Sequence, residues 1–386
     1  MNNINPTERL HGLDAVRAIA LLLGVVLHAT MSFLPGMQIW ITVDSSRSPA
    51  LSVLFYGLHM FRMITFFWIA GFFASLSFER LGLRKFILDR LKRIVLPLTL
   101  AWLPVIASIT AIATWSATIA NGGIRPPTMA TPALSPSNFP LAHLWFLYLL
   151  ILFYIVFLGI QQINKNNWLS RVSTPLVKFL LSWFGTVFVA LPMVLVLYFN
   201  PTWYWWFGVP TPDTGLQPNI TAVIIYGYAF ALGCMVQQQA SLLKNLEQRW
   251  VFHLVVALFS TVSSLWMVGI SPVFTIAPLG TPKLLYAFLY SLAAWNWVFA
   301  LLGFALRYLA NFNPLRRYIA DASYWIYLVH LPLVMALQTL VSGLEFSWII
   351  KFPSIVLIAF VVLFSSYHLL VRNTWFGVIL NGKRIK

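Results

Sequence analysis

Ten apolar runs of about 20 residues, separated by short loops that hold most of the charge, constrain this 386-residue chain more than any other feature. A run of that length crosses a bilayer as a helix, because a helix satisfies its own backbone where no water can. The runs lie near 13–35, 51–78, 94–118, 141–160, 179–199, 220–238, 250–270, 284–308, 322–341 and 352–371. They predict an all-α polytopic membrane protein of about ten transmembrane helices, a single domain over residues 1–386. Composition agrees, with 9% charged residues against about 25% in a soluble domain. The second and eighth runs are long enough to be tilted or broken.

The net charge of +16 invites a nucleic-acid reading, and the placement of the charge excludes it. No basic stripe with interleaved polar surface exists to track a phosphate backbone. With both termini cytoplasmic, 19 of the 25 Lys and Arg fall in cytoplasmic segments. Four (Arg47, Arg125, Lys283 and Lys351) fall on the other side, and Arg17 and Arg62 lie inside spans. That bias is what the positive-inside rule produces. The lone cysteine, Cys234 in "ALGCMV", excludes an internal disulfide and reads as a packing residue. No small-x-small site follows "AIALLLGVVL", so the first run is expected to stay as a span and not to be cleaved as a signal peptide. Two outer loops are long: 119–140, Pro/Ser/Thr-rich, is expected to form a lid or flexible loop, and 200–219 packs five aromatics beside a turn.

Polar residues inside the spans are costly and mark function. The first span, "LDAVRAIALLLGVVLHAT", carries Asp14, Arg17 and His28. Eleven residues from Arg17 to His28 give only about 20° of net rotation, so the three share one stripe about 16 Å long beyond Arg17. In the second span, "GLHMFRMITFFWIAGFF", His59 and Arg62 share a face, and Arg62 lies too deep to snorkel to water. The segment that follows, "ERLGLRKFILDRLKRIVLP", reads as a basic amphipathic helix. It either lies on anionic lipid or offers Arg90 and Arg93 to substrate phosphates. "LAHLWFLYLL" places His143 and Trp145 at the outer interface, Trp145 as a belt residue and His143 within reach of an entering substrate. In "DASYWIYLVHLPLV", His330 shares a face with Tyr327 and Ser323, and Pro332 is positioned to kink the helix. Trp203, Tyr204, Trp205 and Trp206 are either an interfacial belt or a sugar-stacking surface. No zinc spacing, P-loop, GxSxG elbow or dinucleotide fingerprint occurs, and no His pair has i,i+4 spacing, so no metal is expected.

The opening "LDAVRAIALLLGVVLH", with Arg followed by His, resembles the signature of the acyltransferase-3 family of bacterial membrane acyltransferases. "FFWIAGFF", "FILDRLKRIVLP" and "SYWIYLVHLPL" resemble family segments in the same order. "HLWFLY" and "YHLLVRNTWFGVILNGKR" are similar to the branch that adds succinyl groups to osmoregulated periplasmic glucans. The resemblance implies transfer of an acyl group, succinyl in that branch, from cytoplasmic acyl-CoA (succinyl-CoA or acetyl-CoA) to a hydroxyl of an extracytoplasmic glucan or other polysaccharide. It implies residence in the bacterial inner membrane, no permanently bound cofactor, and glucan-biosynthesis proteins as partners. Arg17 and His28 match the motif's Arg and His, and Arg90 and Arg93 match the arginines after the second span. The soluble hydrolase-like domain of many members has no counterpart here, which leaves the membrane part to complete the transfer alone.

The residues fit that chemistry on their own terms. An imidazole is suited to take the proton of an attacking hydroxyl, and a cation can hold the charge that develops on a thioester oxygen. The expected catalytic set is His28 as base with Asp14 and His330. Arg17, Arg62, Arg90 and Arg93 are expected on the donor, and His59, His143 and Trp145 on the acceptor. The competing classes are a carrier or flippase for an anionic solute or lipid-linked sugar, and a membrane sensor or scaffold. No inverted repeat is visible to favour a carrier.

Overall fold

The computed structural model describes residues 11–36, 40–125, 134–164 and 168–381. Twelve α-helices occupy them: α1 His11–Thr30, α2 Pro49–Arg90, α3 Leu96–Ala120, α4 Trp145–Ile163, α5 Trp168–Leu180, α6 Gly185–Phe199, α7 Ile220–Gln237, α8 Leu243–Val268, α9 Thr281–Tyr308, α10 Pro314–Ser342, α11 Trp348–Ser366 and α12 Trp375–Asn381. No strand occurs among the described residues; two isolated bridges, Pro140 with Thr214 and Tyr204 with Ile276, tie loops together. Residues 126–133, at the centre of the expected 119–140 lid, lie outside the described residues, as do Arg9, Lys165, Lys383, Arg384 and Lys386 of the charge count.

Eight helical segments are long and apolar enough to span a bilayer, and nine if one bent pair is a single span. One of the eight, Pro49–Ala120, is 72 residues long, about 108 Å of helix, several times the hydrocarbon thickness. It doubles back. Ser116, near its far end, hydrogen-bonds Thr42 just before its start at 2.9 Å, and Thr42 also meets Thr339 at the end of α10 at 3.0 Å. The reversal begins at Gly82, whose φ of 69° and ψ of 171° interrupt α2. Gly82 can adopt that left-handed φ because it lacks a Cβ. Beyond it the ring of Phe86 folds back to 5.7 Å from that of Phe78. A π-helical turn over Leu91–Val95 then leads into α3. With this run counted as two passes and the bent pair as one, the ten expected crossings are all accounted for.

The bent pair corrects the expected span at 179–199. Ser173–Leu180 and Gly185–Phe199 meet at 101°. A side chain at residue 185 would collide with the carbonyls of Phe179 and Leu180, so the corner requires Gly185. The expected second run, 51–78, is itself unbroken, the interruption at Gly82 falling just after it, and the expected long eighth run lies in the uninterrupted α9.

Helices α1, α2, α9 and α10 form the inner bundle, and the others pack around it. Contact is closest where glycine meets backbone: Gly71 of α2 against the Phe230 carbonyl of α7, and Gly233 of α7 against the Trp68 carbonyl of α2. Small residues let membrane helices approach this way, since lipid supplies no hydrophobic drive between them. Arg93, Arg316, Arg317 and Arg372 cluster at one end of the bundle, where Tyr324 donates to the Arg93 carbonyl and Arg372 lies over the Tyr318 ring. We call that end the basic face.

At the opposite face the loop between α1 and α2 is fastened by a buried ion pair. Lys351 Nζ of α11 reaches both carboxylate oxygens of Asp44, at 3.0 and 2.8 Å, and both side chains are 1% exposed. The five-aromatic loop turns inward too. Trp203 and Trp206 are fully buried, with their indoles donating to the Gly208 and Gly269 carbonyls, so they fill a core and do not stack on a sugar. Removing one partner of a buried pair strands the other charge, at a cost of about 3–5 kcal/mol. Lys351→Met should therefore destabilise the protein by that amount in detergent thermal unfolding, and Asp44→Asn/Lys351→Met should recover most of it. Equal stability of the single and double variants would show that the pair is not what holds the loop.

Candidate active site

Four helices bring their polar side chains to one place. His28 closes α1, Arg62 lies inside α2, His143 precedes α4, and His330 lies in the middle of α10. The His28 and His330 rings are 5.3 Å apart between centroids, and those of His143 and His330 are 5.0 Å apart. Arg62 arrives across Gly24, one turn before His28. A Cβ at residue 24 would collide with Arg62 Nη1 and stand 3.7 Å from His330 Nε2. His28, His143, His330 and Arg62, expected from their separate spans, thus form one cluster.

Carbonyl partners fix two of the imidazoles. A carbonyl only accepts, so the ring nitrogen facing it carries the proton. His330 Nδ1 lies 2.7 Å from the Tyr327 carbonyl, which makes Nδ1 the N–H and leaves the lone pair of the neutral ring on Nε2. His143 Nε2 lies 3.2 Å from the Leu328 carbonyl, so its lone pair is on Nδ1. Proline explains why that carbonyl is free. Residue 332 would normally donate to the carbonyl four residues back, and Pro332 has no N–H. The helix runs on through Pro332, whose effect is to vacate the Leu328 carbonyl for His143. Tyr327 then donates to the His143 carbonyl at 2.8 Å. Just before His143, Ala142 holds a φ of 44°, and the amides of Leu141 and Ala142 both donate to the Asp213 carbonyl. A non-glycine residue in that region is strained, and the strain turns His143 inward.

His28 Nδ1, Arg62 Nε, His143 Nδ1 and His330 Nε2 are all buried without a hydrogen-bond partner. Each such atom costs about 1–3 kcal/mol, and four gathered in one cluster make it the candidate binding site. Among the described residues no three His, Cys, Asp or Glu are arranged to hold a metal ion. None of the described ion pairs places a carboxylate on the cluster.

Several expected residues sit elsewhere. Asp14 pairs with Arg17 at 3.2 Å, fourteen residues and about 21 Å of helix from His28, so it cannot act in the cluster's chemistry. Arg17 also lies over the Phe73 ring. Arg90 and Arg93 share Asp89, at 2.6 and 2.8 Å, an acid that the two-arginine reading had left out. Arg90 also donates to the Tyr154 hydroxyl. Trp145 is buried, stacked on Tyr226, and is not an interfacial belt residue. His59 stacks on Phe55 and reaches Thr211 of the opposite-face loop at 3.4 Å.

Two residues escaped the sequence reading. Trp40 stacks on His28, ring centroids 5.7 Å apart, and its indole donates to Gln338 Oε1 at 2.7 Å. Gln338 Nε2 in turn donates to the His28 and Ala29 carbonyls at 2.9 and 3.2 Å. One amide side chain therefore joins α10, the end of α1 and the loop above the site. The signal was present, since Gln338 is the only amide within α10.

A family model described as an acyltransferase domain, of the acyltransferase-3 type, matches residues 10–368. The chain belongs to that family. Similar curated proteins are named glucans biosynthesis protein C. That of Shigella dysenteriae serotype 1 is 27% identical over 169 residues, 42% of this chain and 41% of that protein. Those of Escherichia coli K12 and Shigella boydii serotype 4 are 34% identical over 97 residues and 31% over 96, covering 25% of this chain and 24% of theirs. The chain thus aligns with a quarter to two fifths of their length. No solved structure matches.

For a membrane acyltransferase the Gln338 bridge has a measurable consequence. Gln338→Ala removes the bridge between Trp40 and the end of α1, and a shift of about 1 Å at a reacting group costs about 100-fold in rate. Acyl transfer should fall by roughly that factor with the helical circular dichroism unchanged. A wild-type rate would remove Gln338 from the site's support.

Proposed function

We propose that this acyltransferase moves an acyl group, succinyl first among them, from a coenzyme A thioester at the basic face to a hydroxyl of a glucan that enters from the opposite face. In this reading the basic face is cytoplasmic, both termini lie there, and the membrane is the bacterial inner membrane. The observation that carries it is His330 Nε2, a lone pair oriented by the Tyr327 carbonyl and left open among His28, His143 and Arg62. The names of the similar proteins support the glucan as acceptor and fit glucan-biosynthesis proteins as partners.

The donor has a short way to go. Tyr324 donates to the Arg93 carbonyl at 2.6 Å, and His330 lies six residues further along α10, about 9 Å. Tyr324, Tyr327 and His330 form a ladder of rings over that distance, at 6.4 and 6.1 Å. Phosphates held by Arg17, Arg90 and Arg93 would thus stay at the face while the pantetheine arm carries the thioester inward. A recess between α1 and the start of α10, lined by His11, Asp14, Arg316 and Arg317, adds cationic surface at the same level.

In the transfer step the acceptor hydroxyl oxygen bonds to the thioester carbonyl carbon while its proton passes to His330 Nε2. The carbon–sulfur bond then breaks, and the imidazolium returns the proton to the departing thiolate. An ester and free coenzyme A result. His28, whose ring lies 5.3 Å from that of His330, donates to the oxygen that becomes negative. This transfers the role of base from His28, the sequence expectation, to His330. His143 completes the wall on the acceptor side.

His330→Ala should lower kcat by about 10²–10⁴-fold, the worth of a general base. His28→Ala should cost about 10²–10³-fold, and His28→Asn, which keeps a donor, should recover part of it. If His28→Asn is as inactive as His28→Ala while His330→Ala stays active, the two roles are reversed. In a second measurement, Arg90→Ala and Arg93→Ala should raise the donor dissociation constant more than they lower kcat. An unchanged dissociation constant would leave those arginines only as topology determinants on anionic lipid. No observation favours the carrier reading over this one.

A further inference from the structure

Arg62 is a cation inside a span, and no acid among the described residues pairs with it. None of the described ion pairs involves it, and its Nε is buried without a partner. A charge left so in a membrane interior is among the most expensive features a protein can carry, and it is kept where a ligand supplies the opposite charge. We infer that Arg62 reads a second carboxylate on the transferred acyl group, which makes it the residue that selects dicarboxylic thioesters over plain fatty ones. This rests on the acyl-transfer reading above and its succinyl donor, and adds the residue that recognises that donor.

Geometry supports the assignment. Arg62 Nη1 and His330 Nε2 both lie against the bare backbone of Gly24, His330 Nε2 at 3.7 Å from where a Cβ would stand. The carbonyl attacked beside His330 and a carboxylate seated on Arg62 would then be separated by a short chain. In a succinyl group that chain is two methylenes. The Arg62 guanidinium occupies the place that a side chain at residue 24 would take. Glycine inside a helix costs about 1 kcal/mol relative to alanine, and here it lets the guanidinium lie against the backbone of α1 close to His330.

The chemistry of the residue fits as well. A guanidinium presents a planar fork that pairs with a carboxylate through two parallel hydrogen bonds, which a lysine cannot reproduce. A thioester oxygen that becomes negative only in passing needs no such fork, and His28 stands ready to serve it. A neutral acyl chain of equal length would leave the guanidinium desolvated and unpaired. Sites built around a buried polar partner reject analogues that lack it far more strongly than sites built on shape alone.

The test uses the full-length protein in lipid nanodiscs with a glucan acceptor. It compares succinyl-CoA with butyryl-CoA, which has the same chain length and no carboxylate. Wild type should favour succinyl-CoA by about 100-fold or more in kcat/KM. Arg62→Met should lower that ratio by about the same factor, with Arg62→Lys in between. Gly24→Ala, whose methyl would displace Nη1, should shift the ratio in the same direction and serves if Arg62→Met fails to fold. An equal loss with both donors would overturn the inference and assign Arg62 to the thioester oxygen. A wild type that prefers butyryl-CoA would overturn it too, while leaving acyl transfer intact. If no thioester is consumed at all, the acyl-transfer reading falls. The inference is then decided by binding alone: succinyl-CoA should protect wild type, but not Arg62→Met, against thermal unfolding more than butyryl-CoA does. Equal protection by the two would overturn it.

Discussion

In a hydrocarbon interior a polar group has no water to fall back on, and that constraint shapes the polar side chains within the spans of this protein. Three solutions are visible. Hydroxyls return to their own helices, as Thr65 does to the Phe61 carbonyl. Opposite charges are buried together, as Asp44 and Lys351 are at the opposite face. The third is no solution at all: four nitrogens from His28, Arg62, His143 and His330 are brought together and left without partners. Other buried polar atoms also lack partners, Trp68 Nε1 and Ser260 Oγ among them, but these four lie in one cluster drawn from four separate segments.

The supports of that cluster are ordinary features turned to a special use. Pro332 removes one backbone donor, and the carbonyl it vacates orients His143. The next carbonyl back, that of Tyr327, orients His330. Gln338 binds the end of α1 with one end of its amide and Trp40 with the other, so the loop over the site and the helix carrying His28 move together. Tyr324 fastens the same helix to the basic segment at Arg93. Helix α10 therefore ties the basic segment at Arg93 to His143 and to the end of α1 that carries His28.

Membership in the acyltransferase-3 family accounts for the arrangement at the level of reaction class. The named relatives align with too little of their length to carry more than that. The finer assignments rest on this chain's own atoms. Arg90 and Arg93 illustrate the difference: two arginines at a membrane face suggested a phosphate grip, and Asp89 between them already takes much of their charge.

The spans, their approximate limits and the residues worth suspecting were legible in the sequence, because the cost of polarity in lipid acts on each helix separately. His28, Arg62, His143 and His330 each stood out in an otherwise apolar run for that reason. What no single run contained was which of them meet. Asp14 lies on the same stripe as His28, yet helical rise alone keeps it at the other end of the span. Trp145 looked like an interfacial tryptophan and is packed beneath Tyr226. Trp40 and Gln338 acquire their roles only from a contact between residues 298 positions apart. The reversal at Gly82 and the corner at Gly185 likewise depend on what the chain must pack against. Local energetics chose the residues, and only the packing of α1, α2, α4 and α10 against one another placed the open lone pair of His330 beside the unanswered charge of Arg62.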